Sequence, residues 1–299
     1  MIDDHPFAVC LTHDVDRPYK TYQAPYYAIV NRDPSQLRSL FSRERPYWQF
    51  EEIMALEDDL GVRSTFFFLN EQNLFRDKSP WEWLRPANWK HFVGRYEIMD
   101  PAIVDVIRDL YAGGWEVGLH GSYESPDDPA RLREEKSQLE RILGHEIVGG
   151  RQHYLRLTRP DTWEIHRELG LRYDASLGST DEVGFRHGYG LLRPFDDEFA
   201  VFPLTAMEVA LLGPETDLES ARERGYDLLR EAERNAAVAT LLWHPRFFNE
   251  DEFGGYRQLY VDLVEYAQER NAWVGPCAEF LRHVDELNEL ERKPVRKRP

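Results

Sequence analysis

Cysteine is almost absent from this chain: two occur, Cys10 and Cys277, in 299 residues. Two thiols cannot build a disulfide scaffold or a cysteine-rich zinc site, and they read as buried, idle side chains. No run approaches the roughly 18 consecutive apolar residues that a membrane-spanning helix needs, so no span is expected. The opening stretch MIDDHPFAVCLTHDVD lacks the basic segment and long apolar segment of a secretory signal; a cytoplasmic location is the expectation. Basic residues are in deficit, 37 Lys and Arg against 54 Asp and Glu, for a net charge of −17. Such a surface repels nucleic acid and anionic lipid, so neither is an expected partner. The basic tail RKPVRKRP at 292–299 reads as a solvated end. Neither a GxGxxG turn nor a P-loop is present, which argues against a nucleotide cofactor. Internal repeats, low-complexity tracts and domain linkers are missing as well.

What is present is an alternating pattern. A hydrophobic fraction of 42% fills a substantial core at this length and suits one α/β domain. Phe7–Thr12 reads as a strand, 49–61 as a helix with a Gly stop, and Ser64–Leu69 as the next strand. Helix Pro101–Ala112 precedes strand Trp115–Leu119. Helix Asp127–Leu143 precedes strand Ile147–Gly150, and helix Pro160–Leu169 precedes strand Leu171–Ala175. A strand at Ala200–Leu204, helix Asp217–Asn235, strand Val238–Trp243, helix Phe253–Glu269, strand Ala272–Gly275 and helix Pro276–Asn288 complete the series. Strands alternating with helices imply a parallel sheet. A barrel is preferred over an open sheet, because the chemically active side chains fall at strand C-terminal ends, which a barrel gathers on one face. Two stretches, 17–48 and 70–97, interrupt the repeat. Both are rich in Tyr, Trp, Pro and Arg and read as functional loops, their aromatics suited either to packing the insertions down or to stacking on sugar faces.

Four segments carry chemistry. In LTHDVD (11–16), Asp14 and Asp16 are two apart on an extended segment and point to one side. Their mutual repulsion favours a cation between them, one acid binding it and the other staying free as a base. In GLHGSYES (118–125), His120 follows an apolar strand, with Glu124 four residues on. GGRQHYLR (149–156) offers Arg151, a permanent cation that fits a carboxylate, His153 as a metal ligand, and Tyr154 as an oxyanion donor. LLWHPRFF (241–248) ends a strand in Trp243 and His244, the latter suited to protonating a leaving group.

The order and placement of these segments resemble the polysaccharide deacetylase superfamily, the carbohydrate esterases with a NodB-homology domain. The resemblance spans roughly Phe7 to Phe280. It implies a distorted parallel (β/α)7-type barrel. It also implies removal of an N-acetyl group from an amino sugar with a divalent metal, zinc foremost, with cobalt, nickel or manganese as alternatives. THDVD (12–16) is similar to the family's first motif, which makes Asp14 the base and Asp16 a ligand. HGSYE (120–124) matches the first His of the second motif in His120. RQHY (151–154) is similar to the third motif, and His244 to the later acid. YDASLG (173–178) is similar to a further family segment, with Asp174 near substrate and Tyr154 and Trp243 as other substrate contacts.

Two departures stand out. Position 124 is Glu where the family has a second metal His, and position 153 is His where it has Pro. The expected ligand set is therefore Asp16, His120 and His153. Glu124 is the alternative third ligand and Ser125 a more distant one, and a degenerate site is the other outcome. His13 and His187 are held in reserve. The expected partner is a carbohydrate, a nucleotide- or lipid-linked glycan precursor in preference to mature polymer. A catalytically silent carbohydrate-binding barrel and a hydrolase of another C–N bond or an O-acetyl ester are the rival readings.

Overall fold

The computed structural model describes residues 5–20, 28, 32 and 45–292. Most of the expected insertion at 17–48, and the basic tail beyond 292, lie outside the described residues.

Nine strands form one sheet: β1 (Ala8–Val15), β2 (Thr65–Leu69), β3 (Glu116–Gly121), β4 (Gly149–Gln152), β5 (Tyr173–Asp174), β6 (Ala200–Val201), β7 (Ala206–Met207), β8 (Val238–Leu242) and β9 (Trp273–Gly275). Their order is β6-β5-β4-β3-β2-β1-β8-β7, with β9 also pairing β1. Every ladder between these strands is parallel. The sheet curls with helices around it, a distorted (β/α) barrel that no ladder closes between β6 and β7 among the described residues. No helix of the described residues is long and apolar enough to cross a membrane.

Local sequence explains the elements. Helix Phe50–Leu60 stops at Gly61, whose φ of 67° is the left-handed conformation that glycine adopts freely. Helices Pro129–Leu143 and Leu218–Arg234 start on Asp128 and Asp217, whose side chains accept from the amides of Arg131 and Ser220.

Side-chain alternation along β1 sorts its residues into two layers. Val9, Leu11 and Val15 enter the main core under the outer helices, with Phe66 and Phe68 of β2. Ala8 and Cys10 face the barrel interior and pack with Phe67, Tyr173, Phe202, Cys277 and Phe280. Both cysteines are buried and free. The interior of β1 is thus small and apolar at the bottom of the barrel and becomes polar at Thr12 and Asp14 toward its mouth. Close packing is strict at Gly149, where a Cβ would stand 2.0 Å from Cζ of Tyr173.

Three sequence expectations need correction. β1 runs to Val15, three residues beyond Thr12, so Asp14 lies in the strand and Asp16 just past it. The 70–97 stretch is not a plain loop. Short helices at Leu74–Asp77 and Pro86–Phe92 fold around Leu74, Phe92 and Val93, a packing nucleus too short to show a helical period. Strand β7 and the one-turn helix Glu208–Leu211 were not anticipated; two strand residues give no alternation to read.

Candidate metal centre and active site

Strands β1, β3, β4 and β8 deliver their C-terminal side chains to one cleft of about 660 Å³, lined among others by Asp14, Asp16, His120, His153, Tyr154 and His244. His120 Nε2 lies 3.1 Å from one Asp16 oxygen and 3.7 Å from an Asp14 oxygen. His153 Nε2 lies 3.5 Å, and His244 Nε2 3.6 Å, from the other Asp16 oxygen. One donor atom each from Asp16, His120 and His153 falls within 4.8 Å of the others.

The chemistry of this set fits a divalent cation. His120 Nδ1 is 2.9 Å from the carbonyl of Arg151, and His153 Nδ1 is 3.3 Å from Glu71. A proton on each Nδ1, donated to those acceptors, leaves both Nε2 lone pairs on the Asp16 side, the usual arrangement behind metal-binding histidines; that of His153 also lies 3.4 Å from Arg95 Nη2, a contact a cation would replace. Two imidazoles and a carboxylate, with room for water, match the three-ligand pattern of catalytic zinc. Without a cation the same cluster is held together by charge. Burial works against ionised Asp16, but His153 and His120 outweigh it and keep the carboxyl well below its ordinary range. Burial also works against protonated His120, yet Asp14 and Asp16 raise its pKa. A cation taken up here would displace protons, so its binding would strengthen as pH rises.

Asp14 is set apart from the trio. Its Oδ1 accepts from Arg151 Nη1 at 2.8 Å. Arg151 is fully buried and fixed by the Thr12 hydroxyl, the Ala175 carbonyl and the face of Phe67. Burial alone would raise the Asp14 pKa; Arg151, then His120 and His244, hold it below the ordinary value. Just past β8, the strand paired with β1, His244 Nδ1 is 2.7 Å from fully buried Glu208. Burial disfavours the imidazolium, and Glu208 reverses that and raises the pKa.

The structure brings together Asp14, Asp16, His120, Arg151, His153 and His244, and places Tyr154 in the cleft wall, partly exposed, at a left-handed φ of 58°. Other expected residues are elsewhere. Trp243, read as a substrate contact, is fully buried against Tyr260 in the outer core. It alternates with His244, so the two side chains leave the strand on opposite sides. Asp174, the other proposed substrate contact, is also fully buried and serves Trp163, Ser176 and His166 behind the sheet. Glu124, the alternative ligand, pairs with Lys78. Ser125 bonds Ser122 and Gln152, and His13 sits in the outer layer with Glu57. His187 is not among the cleft residues.

Four contributors went unread in the sequence: Glu71, Glu208, Arg17 and Arg95. Glu71 directly follows β2 by two residues, a strand-end position like the others. Glu208 opens a one-turn helix after the two-residue strand β7 and has no such signal.

No protein-family model matches the chain, and no curated protein matches it by sequence. Solved structures do match. A Mycobacterium smegmatis protein assigned as a polysaccharide deacetylase aligns over 99% of this chain and 96% of its own, at 17% identity and a TM-score of 0.61. A Pseudomonas aeruginosa PAO1 protein given the same assignment aligns over 95% and 92%, at 15% identity and 0.60. The allantoinase PuuE aligns over 94% and 91%, at 15% identity and 0.58. Strand order, curled parallel sheet and these alignments together give the chain the fold of the polysaccharide deacetylase superfamily.

Proposed function

We propose that this chain is a metal-dependent hydrolase that removes an N-acetyl group from an amino sugar in a glycan or glycan precursor. One observation carries the reading: a buried carboxylate paired with Arg151 stands beside, but apart from, a three-residue cluster that could hold a cation, with a carboxylate-backed histidine in the same cleft.

Asp16, His120 and His153 would hold the cation, with zinc the metal best suited to this donor set. When bound, it supplies Lewis acidity at the acetyl carbonyl and lowers the pKa of a water. Asp14 accepts the proton of the attacking water, and Arg151 keeps that carboxylate charged and aimed. The Tyr154 backbone N–H donates to the developing oxyanion. His244, whose pKa Glu208 raises against the effect of burial, passes its proton to the departing amine. Acetate and a free amino sugar result. Trp89 and Tyr154 on the cleft wall offer aromatic surface to the C–H face of a sugar. The two similar structures assigned as polysaccharide deacetylases support the reading.

The test is acetate release from N-acetylated oligosaccharides by purified, zinc-loaded protein. Activity should vanish on chelation, return with metal, and fall about 10²- to 10⁴-fold in Asp14→Asn. Full activity in Asp14→Asn rejects the base. The rival, a silent carbohydrate-binding barrel, predicts sugar binding with no turnover and no bound metal.

A further inference from the structure

Acids outnumber bases by 54 to 37 in the whole sequence, yet the wall of the cleft reverses that balance. Arg17, Lys90, Arg95 and Arg246 line it, against two carboxylates, Asp14 and Asp16. Both carboxylates are already matched, Asp14 by Arg151 and Asp16 by the histidines.

The four cations are not matched. Arg17 donates to the carbonyls of Lys90, Val93 and Gly94. Arg95 donates to the carbonyls of His91 and Asp16 and lies 3.4 Å from His153 Nε2. The Lys90 amine lies 5.7 Å from the Tyr154 ring centre, and the Arg246 guanidinium 4.8 Å from that of Phe247. Their partners are thus carbonyl oxygens and ring faces, and among the described residues none of the four forms an ion pair with a carboxylate.

Holding several cations around one cavity without an ion-pair partner costs free energy, which an anionic ligand relieves. Guanidinium forks fit the paired oxygens of carboxylate and phosphate. The position is specific, because Arg95 touches both Asp16 and His153 of the cation site. The overall charge of −17 opposes a long polyanion, so the complementary ligand is small.

We propose that the cleft is built for an anionic substrate, whose carboxylate or phosphate sits on the sugar bearing the acetamide or on its immediate neighbour and is bound by Arg17, Arg95 and Arg246, with Lys90 at the rim. The proposal rests on the reading of this cleft as the active site of a deacetylase, and it names the substrate class that reading leaves open.

Calorimetry with three probes tests it: N-acetylglucosamine 1-phosphate, a disaccharide joining N-acetylglucosamine to a uronic acid, and neutral di-N-acetylchitobiose. Zinc-loaded full-length protein is compared with Arg17→Gln/Arg246→Gln. At least one anionic probe should bind about tenfold or more tightly than the neutral one, and the anion that gains tells phosphate from carboxylate. The preference should disappear in the double variant and shrink between about 50 and about 500 mM salt. Equal binding of all three probes overturns the proposal, as does a preference that survives in the folded double variant. If that variant does not fold by circular dichroism, Arg246→Gln and Lys90→Gln, which lose no hydrogen bond to the backbone, are read singly by the same criteria. Acetate release is measured in parallel. Efficient turnover of the neutral disaccharide with no anion preference sinks this inference and keeps the deacetylase. Arginine-dependent anion binding without any acetate release keeps an anion-binding cleft and sinks the deacetylase.

Discussion

The bond between Asp14 and Arg151 joins residues 137 apart in sequence and can be tested without any substrate. Asp14 is 4% exposed and Arg151 is 0% exposed. Removing either partner leaves the other charge buried and uncompensated, which costs about 3–5 kcal/mol. Arg151→Met should fall in that range. Asp14→Asn should lie at its lower end, because Arg151 keeps the Thr12 hydroxyl, the Ala175 carbonyl and the Phe67 face. The double variant removes the conflict, so it should cost about as much as the worse single change rather than the sum. The expected coupling is about 3 kcal/mol, the cost of the lesser single change. Urea unfolding of chelator-treated protein reads all four corners of the cycle. The pH dependence carries the same signature. The Asp14 pKa in the fold lies below its ordinary value. Its contribution is therefore fully present above the unfolded pKa of about 3.9 and is lost as pH falls through the lower folded value. In Arg151→Met, burial is no longer opposed by that guanidinium, so protonation relieves the variant. The stability gap between the two proteins should narrow in acid. Additivity within about 0.5 kcal/mol, or a gap that does not change with pH, would show that the two side chains do not act as a pair.

Three further outcomes follow from the site and its packing. Glu208→Gln removes the charge that raises His244, so the protonated acid is lost at lower pH; kcat/KM should fall about tenfold or more on the alkaline side and stay near wild type on the acid side, read from the pH–rate profile. Glu71→Gln should weaken zinc affinity about 10- to 100-fold through His153, whereas Glu124→Gln, altering a residue paired with Lys78, should leave it unchanged in a competitive chelator titration. Gly149→Ala, which drives a Cβ into the buried Tyr173 ring, should destabilise the fold by about 1–3 kcal/mol in urea unfolding.

The alternation of strands and helices was legible because hydrophobic period and glycine stops are local properties. So were Asp14, Asp16, His120, Arg151 and His244, each at or just past the end of an apolar run, where a parallel barrel collects its chemistry. Trp243 could have been rejected from sequence as well: if His244 enters the cleft, period-two alternation turns its neighbour into the outer core. The same alternation sends Tyr173 inward and Asp174 outward.

Other features had no local signature. Glu208 becomes the partner of His244 only because β7 lies against β8 in the sheet. Glu71 reaches His153 across a sequence separation of 82 residues. Arg17, Lys90, Arg95 and Arg246 are scattered basic residues in an acidic chain until folding sets them around one cavity. Local pattern sets which residues face inward along each strand, because backbone geometry fixes it residue by residue. Which side chains share a charge, a proton or a ligand depends on distances of a few ångströms between distant segments, and those are set by how the strands order and curl.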